Sequence, residues 1–180
     1  MPFAFQAVSV DENRKHFSVE LWDSDANNHE AFEQRWFPGV HSDIGGSYPD
    51  SDSGTGRDLG RMTLEWMVSQ LEAYNTGLIV NREALDFKSG DGAQNYYLGE
   101  QHDERSKKRL GIFKTGKLWP EGFRLRASKA PLEPDTENTS GVGIVDERVM
   151  KRFTALVSYR PEALRKHPNF HDQYNAVKSG

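Results

Sequence analysis

Trp36 to Pro49 reads WFPGVHSDIGGSYP, and the fold turns on how this stretch is parsed. The apolar run Arg35 to Val40 (RWFPGV) has the look of a buried strand that stops at Pro38-Gly39. His41 follows at once, then Ser42-Asp43, then the glycine pair Gly45-Gly46. In open α/β sheets, functional groups gather just beyond the carboxyl ends of strands, because the backbone turns there and side chains project into a crevice. His41 therefore sits where a catalytic base is wanted: a neutral imidazole could take a serine proton and return it to a leaving group, given a carboxylate to fix its tautomer. The same residues have a plainer reading. A lone histidine at a strand end is more often a hydrogen-bonded structural residue, and Gly39, Gly45 and Gly46 could simply supply positive backbone dihedrals.

Metal chemistry finds little support. His41 and Asp43 are a common donor pair, but their spacing alone says nothing more. Asp50-Ser51-Asp52 opens like a calcium loop, yet Thr55 stands where the glycine belongs and Arg61 where the terminal glutamate belongs. No metal and no cofactor are expected.

Upstream of the motif, Phe3 to Val10 (FAFQAVSV) puts Phe3, Phe5, Ala7 and Ser9 on one face and Ala4, Val8 and Val10 on the other. A strand so poor in polar side chains suits the inside of a sheet covered on both sides. Asp11, Glu12 and Arg14 follow it, where charged residues usually serve as caps and ion pairs. Downstream, Leu59, Met62, Trp66, Met67, Leu71, Tyr74 and Leu78 recur at spacings of three and four, with Asp58 placed to cap the start and Gly77 to suit the end. This predicts a helix over 58–76. Trp36, Phe37, Trp66 and Met67 are read as core rather than as an acyl pocket. From Asn81 to Glu147 periodicity gives way to Gly, Pro and charge, a long irregular region, before a short helix expected over Val145 to Tyr159. His16, His29, His102, His167 and His171 lie in polar surroundings and are read as exposed.

Composition limits the class. The chain has 180 residues, 36% apolar and 28% charged, which fits one domain with a core of its own. Without cysteine, a disulfide framework and thiolate chemistry are ruled out. A net charge of −4 with scattered basic residues argues against a nucleic-acid partner. No apolar run reaches the roughly 20 residues of a spanning helix, and Met1 to Phe5 lacks the pattern of a secretory signal. The cellular location is left open; export by a route without such a signal is compatible with this.

Together, QAVSVDENRKHF (Gln6 to Phe17), FEQRWFPGVHSDIGGSYP (Phe32 to Pro49), LEWM (Leu64 to Met67) and Gly77-Leu78 resemble the later part of the lipase-like α/β-hydrolase domain in type VI secretion phospholipase effectors and their bacterial and fungal relatives. The likeness is specific over Phe3 to Leu78 and thins afterwards, although Val149 to Pro161, ending in SYRP, is also similar. The resemblance implies a Ser-Asp-His triad whose histidine is His41. It implies that Asp43, with Gly39, Gly45 and Gly46, supports the turn, Asp43 through backbone hydrogen bonds rather than as triad acid. Asn13 and Ser47 depart from the family pattern, where a second arginine and a third glycine are usual.

In α/β-hydrolases the serine occupies a GxSxG elbow and the chain order is Ser, acid, His. No GxSxG occurs in the sequence, and Gly45-Gly46-Ser47-Tyr48-Pro49 lacks the last glycine. The chain is thus expected to be the C-terminal portion of such a sheet, with at least two strands plus helix 58–76, acting on a phospholipid or other ester once an upstream segment or another chain supplies serine and acid. A non-catalytic, partner-binding remnant is the alternative. Unpaired strand edges and the apolar face with Phe3 and Phe5 lead to the expectation of a partner segment or homodimer.

Overall fold

The structure, a computed structural model, describes residues 3–12, 17, 31–48, 58–85, 95–102, 144–164, 167 and 170. Phe3–Ser9 forms β1 and Ala31–Phe37 forms β2, paired in parallel from Phe3 opposite Ala31 to Ser9 opposite Phe37. Two parallel neighbours need a crossover of a dozen or more residues, and the chain between Val10 and Glu30 provides that length. Ile144–Val145 forms β3, which runs parallel to β2 along its other edge, with Arg35 opposite Ile144 and Trp36 opposite Val145. Three strands in the order β1-β2-β3 thus make up the sheet among the described residues, one more than the two the sequence required.

Both faces are covered. Successive strand residues point to opposite sides. Val8, Val10 and Trp36 pack on one face with Val149, Phe153, Tyr159, Leu164 and Phe170. Phe37, with Phe5 and Ala7 partly buried beside it, packs on the other with Leu59, Met62, Trp66 and Tyr96. The split of β1 into two apolar faces is therefore the plan of a helix–sheet–helix sandwich, and Trp36, Phe37 and Trp66 are core. Phe3 and Phe5 are only half-buried, and the ring of Tyr74 covers both at centroid distances of 5.5 and 5.4 Å.

His41–Ile44 forms the single-turn helix α1. Leu59–Ala73 forms α2, capped by the Asp58 carboxylate, which accepts from the Gly60 N–H at 2.7 Å. The expected helix over 58–76 thus runs slightly shorter: Gly77 takes a positive φ of 83° four residues past its end. Tyr74 and Leu78, placed on the apolar stripe by their spacing, lie past the end of the helix and are exposed, although the Tyr74 ring still reaches Phe3 and Phe5.

Glu147–Ala155 forms α3. The helix expected from Val145 begins two residues later, because Val145 is a strand residue and Asp146 breaks the run as N-cap, accepting from the Arg148 N–H at 3.0 Å. Asp146 also takes the Arg148 Nε at 2.7 Å and the Arg35 Nη1 at 3.4 Å. Burial, the largest single influence, pushes its carboxyl up, but the bonds and charge of Arg148, with help from Arg35, together hold it below its ordinary value. Asp146→Ala is expected to cost about 1 to 3 kcal/mol in urea unfolding, from loss of the cap and of a buried acceptor. The sign in pH follows from a lowered native pKa. Asp146 contributes stability above its unfolded value of roughly 3.9, and that contribution is lost as pH falls through the native value. Asp146→Asn should flatten this acid limb.

Candidate functional site

β1 and β2 end side by side, and their exits are tied together. The Val10 N–H donates to the Phe37 carbonyl at 2.9 Å and the Asp11 N–H to the Gly39 carbonyl at 3.1 Å. In return the Asp11 carboxylate accepts from the Gly39 N–H at 2.6 Å and from the Tyr159 hydroxyl at 2.9 Å. Glu12, buried, accepts from the His41 N–H at 3.1 Å. Asp11 and Glu12 thus hold the turn through its backbone. Arg14 and Asn13 lie outside the described residues.

Gly39 makes the turn possible. Its φ is 114°, and a Cβ there would come within 2.7 Å of the Asp43 Cβ and 3.1 Å of the Leu59 Cδ1. Gly60, on the first turn of α2, lets that helix approach the Asp43 carbonyl and the Gly46 Cα, each 2.9 Å from where its Cβ would be. Gly46 also takes a positive φ, 67°, but in open space, and Gly45 keeps an ordinary right-handed backbone.

The His41 side chain is exposed at the start of α1, its ring edge-on to Phe17 at 5.6 Å between centroids. Asp43 is its opposite, 2% exposed and hydrogen-bonded through both carboxylate oxygens. One carboxylate oxygen, Oδ2, accepts from the Val40 N–H at 2.8 Å and from the His102 N–H at 3.3 Å. The other, Oδ1, lies 2.7 Å from the His102 Nδ1. Burial pushes the Asp43 carboxyl above its ordinary value, and the bonds from Val40 and His102 pull it partly back. Tyr48, from the far end of the same turn, stacks flat on the His102 ring, 3.5 Å between centroids and 15° between planes.

Two histidine assignments are corrected here. His102, read as exposed, is a partly buried partner of Asp43. His167, also read as exposed, is buried against Phe170, and that burial lowers its pKa. His16, His29 and His171 lie outside the described residues, as does the calcium-like run from Asp50. The segment bearing His102 is held from α3. The buried Arg152 guanidinium donates to the Tyr97 carbonyl at 2.5 Å and the Gly99 carbonyl at 2.8 Å, and burial lowers its pKa. His102 stands in an aperiodic stretch and meets a partner 59 residues away, so no local pattern pointed to it.

A cavity of about 620 Å³ opens between the turn and α2, lined among the described residues by Ile44, Gly45, Gly46, Tyr48, Arg61, Thr63, Leu64 and Met67, among others. Neither His41 nor His102 is among its lining residues. Among the described residues, no group of three or more His, Asp or Glu could hold a metal ion, and no helix is long and apolar enough to cross a membrane.

No curated protein and no solved structure matches the chain. The family comparison does find a match, and it falls on the residues that build the strand-end turn. Residues 1–70, which take in β1, β2, α1 and most of α2, match the family described as T6SS, Phospholipase effector Tle1-like, catalytic domain.

Proposed function

We propose that the chain is the histidine-bearing part of a serine-dependent phospholipase, with His41 as general base and with the nucleophile and its acid supplied by an upstream segment or another chain. The observation that carries this reading is the exposed imidazole of His41 at the carboxyl end of a parallel strand, inside the stretch that matches a phospholipase effector catalytic domain. The absence of GxSxG from the sequence supports an outside source for the serine. In the first half-reaction His41 takes the serine proton as the serine oxygen bonds to the acyl carbon. It returns that proton to the alcohol oxygen as the ester bond breaks. In the second half-reaction His41 takes a proton from water, whose oxygen attacks the acyl-serine, and the serine leaves with the proton.

A non-catalytic, partner-binding role is favoured by one observation: among the described residues no carboxylate bonds to the His41 ring. Release of fatty acid from phospholipid vesicles separates the two readings. The purified chain alone is expected to show no turnover, and the chain combined with a serine-bearing hydrolase segment is expected to show it. Turnover by the chain alone that survives His41→Ala would remove His41 from the mechanism.

A further inference from the structure

We propose that His102 is a positioning residue for His41, acting through Asp43. The purpose assigned to it rests on the esterase reading, but its geometry does not. A carboxylate that is 2% exposed must find donors nearby, because an unpaired buried charge is strongly unfavourable. Among the described residues Asp43 has three, and two of them belong to His102: the backbone N–H on Oδ2 and the ring Nδ1 on Oδ1. The third is the N–H of Val40, the residue immediately before His41 and the N-cap of α1. The backbone on either side of the Val40–His41 peptide is therefore fixed by two carboxylates, Glu12 on the His41 N–H and Asp43 on the Val40 N–H. The second depends in turn on His102, 59 residues from Asp43 in sequence.

The dependence runs in one direction. Without the His102 donor, Asp43 Oδ1 loses its bond in a buried site, and the carboxylate must either take up a proton or rotate toward water. Rotation withdraws Oδ2 from Val40 and loosens the turn that aims His41. His102 is well placed for this task because it is itself held at three points. Tyr48 stacks on its ring, Asp43 takes its Nδ1, and Arg152 of α3 anchors the carbonyls of Tyr97 and Gly99 just before it. One imidazole thereby meets the turn from Val40 to Tyr48 at two points, at Asp43, which holds the Val40 N–H, and at Tyr48. For the Asp43 carboxylate to accept this 2.7 Å bond, the ring proton must sit on Nδ1. Such partners, which orient a functional group without touching substrate, decide whether it is held within the half-ångström that chemistry requires.

Backbone hydrogen exchange of the full chain, followed residue by residue by NMR, tests this. His102→Leu keeps the bulk and removes the donor, and is expected to speed exchange of the Val40 amide at least tenfold and to shift the His41 ring signals, while amides inside α2 exchange as in the parent. His102→Asn offers an amide N–H close to where Nδ1 stood, and is expected to keep Val40 exchange within about threefold of the parent. A folded His102→Leu chain with unchanged Val40 exchange and unchanged His41 signals would overturn the proposal. If the leucine variant does not fold, tenfold faster Val40 exchange in His102→Asn would overturn it equally. Because neither readout needs turnover, failure here leaves the esterase reading standing, and failure of the esterase reading leaves this brace in place.

Discussion

His41→Ala is expected to lower ester turnover by the completed hydrolase by about 10²- to 10⁴-fold, the usual worth of a positioned general base, or roughly 3 to 5 kcal/mol of barrier. The same substitution should hardly touch stability. The ring is exposed and among the described residues its one ring contact is Phe17, so the change belongs with surface substitutions of about 0.5 kcal/mol or less, at most about 1 to 2 °C in melting temperature for a chain of this size. Side-by-side kinetics and thermal unfolding check both halves. A large drop in melting temperature would mean that His41 is a packing residue, and an unchanged rate would mean that another group takes the proton.

Gly39→Ala should show the reverse pattern, with a loss of stability of about 2 to 5 kcal/mol. A non-glycine residue held at a positive φ of 114° is strained, and the new methyl would lie 2.7 Å from the Asp43 Cβ. Asp43 cannot step aside cheaply, because Val40 and His102 hold both of its oxygens. The strand exit must move instead, and Asp11, bonded to the Gly39 N–H, would be pulled with it. Gly46→Ala is the control. It too has a positive φ, but with nothing within 4 Å of its Cβ, so only the backbone penalty of about 1 to 2 kcal/mol applies. Urea unfolding of the two variants separates crowding from backbone strain.

Much of this architecture was legible because its determinants are local. The alternation in Phe3 to Val10 specifies two apolar faces, and both are occupied, by Val8 and Val10 against α3 and by Phe5 and Ala7 against α2. The stripe from Leu59 to Trp66, with Asp58 ahead of it, specifies α2. Local pattern misleads at Val145, which reads as the start of a helix but, with Ile144, adds to the edge of β2. Only the arrival of Arg35 and Trp36 opposite them decides the matter.

The site was half legible for the same reason. His41 follows a strand and precedes glycines, a signal contained within a few residues. Asp43 could be placed in the turn, but its pairing with His102, and the stacking of Tyr48, depend on where a distant aperiodic segment is delivered by Arg152. The burial of His167 beside Phe170 is likewise a product of the core on the α3 side and not of its polar neighbours in sequence.

The central claim, that the strand-end imidazole activates an alcohol from outside these 180 residues, is tested most directly by a fluorophosphonate probe, with the labelled serine located by mass spectrometry. The expected result is an adduct on a serine of the added hydrolase segment, formed rapidly with the parent chain and at least about a hundredfold more slowly with His41→Ala. An adduct on a serine of this chain, or labelling of the added segment at the same rate without the His41 imidazole, would contradict it.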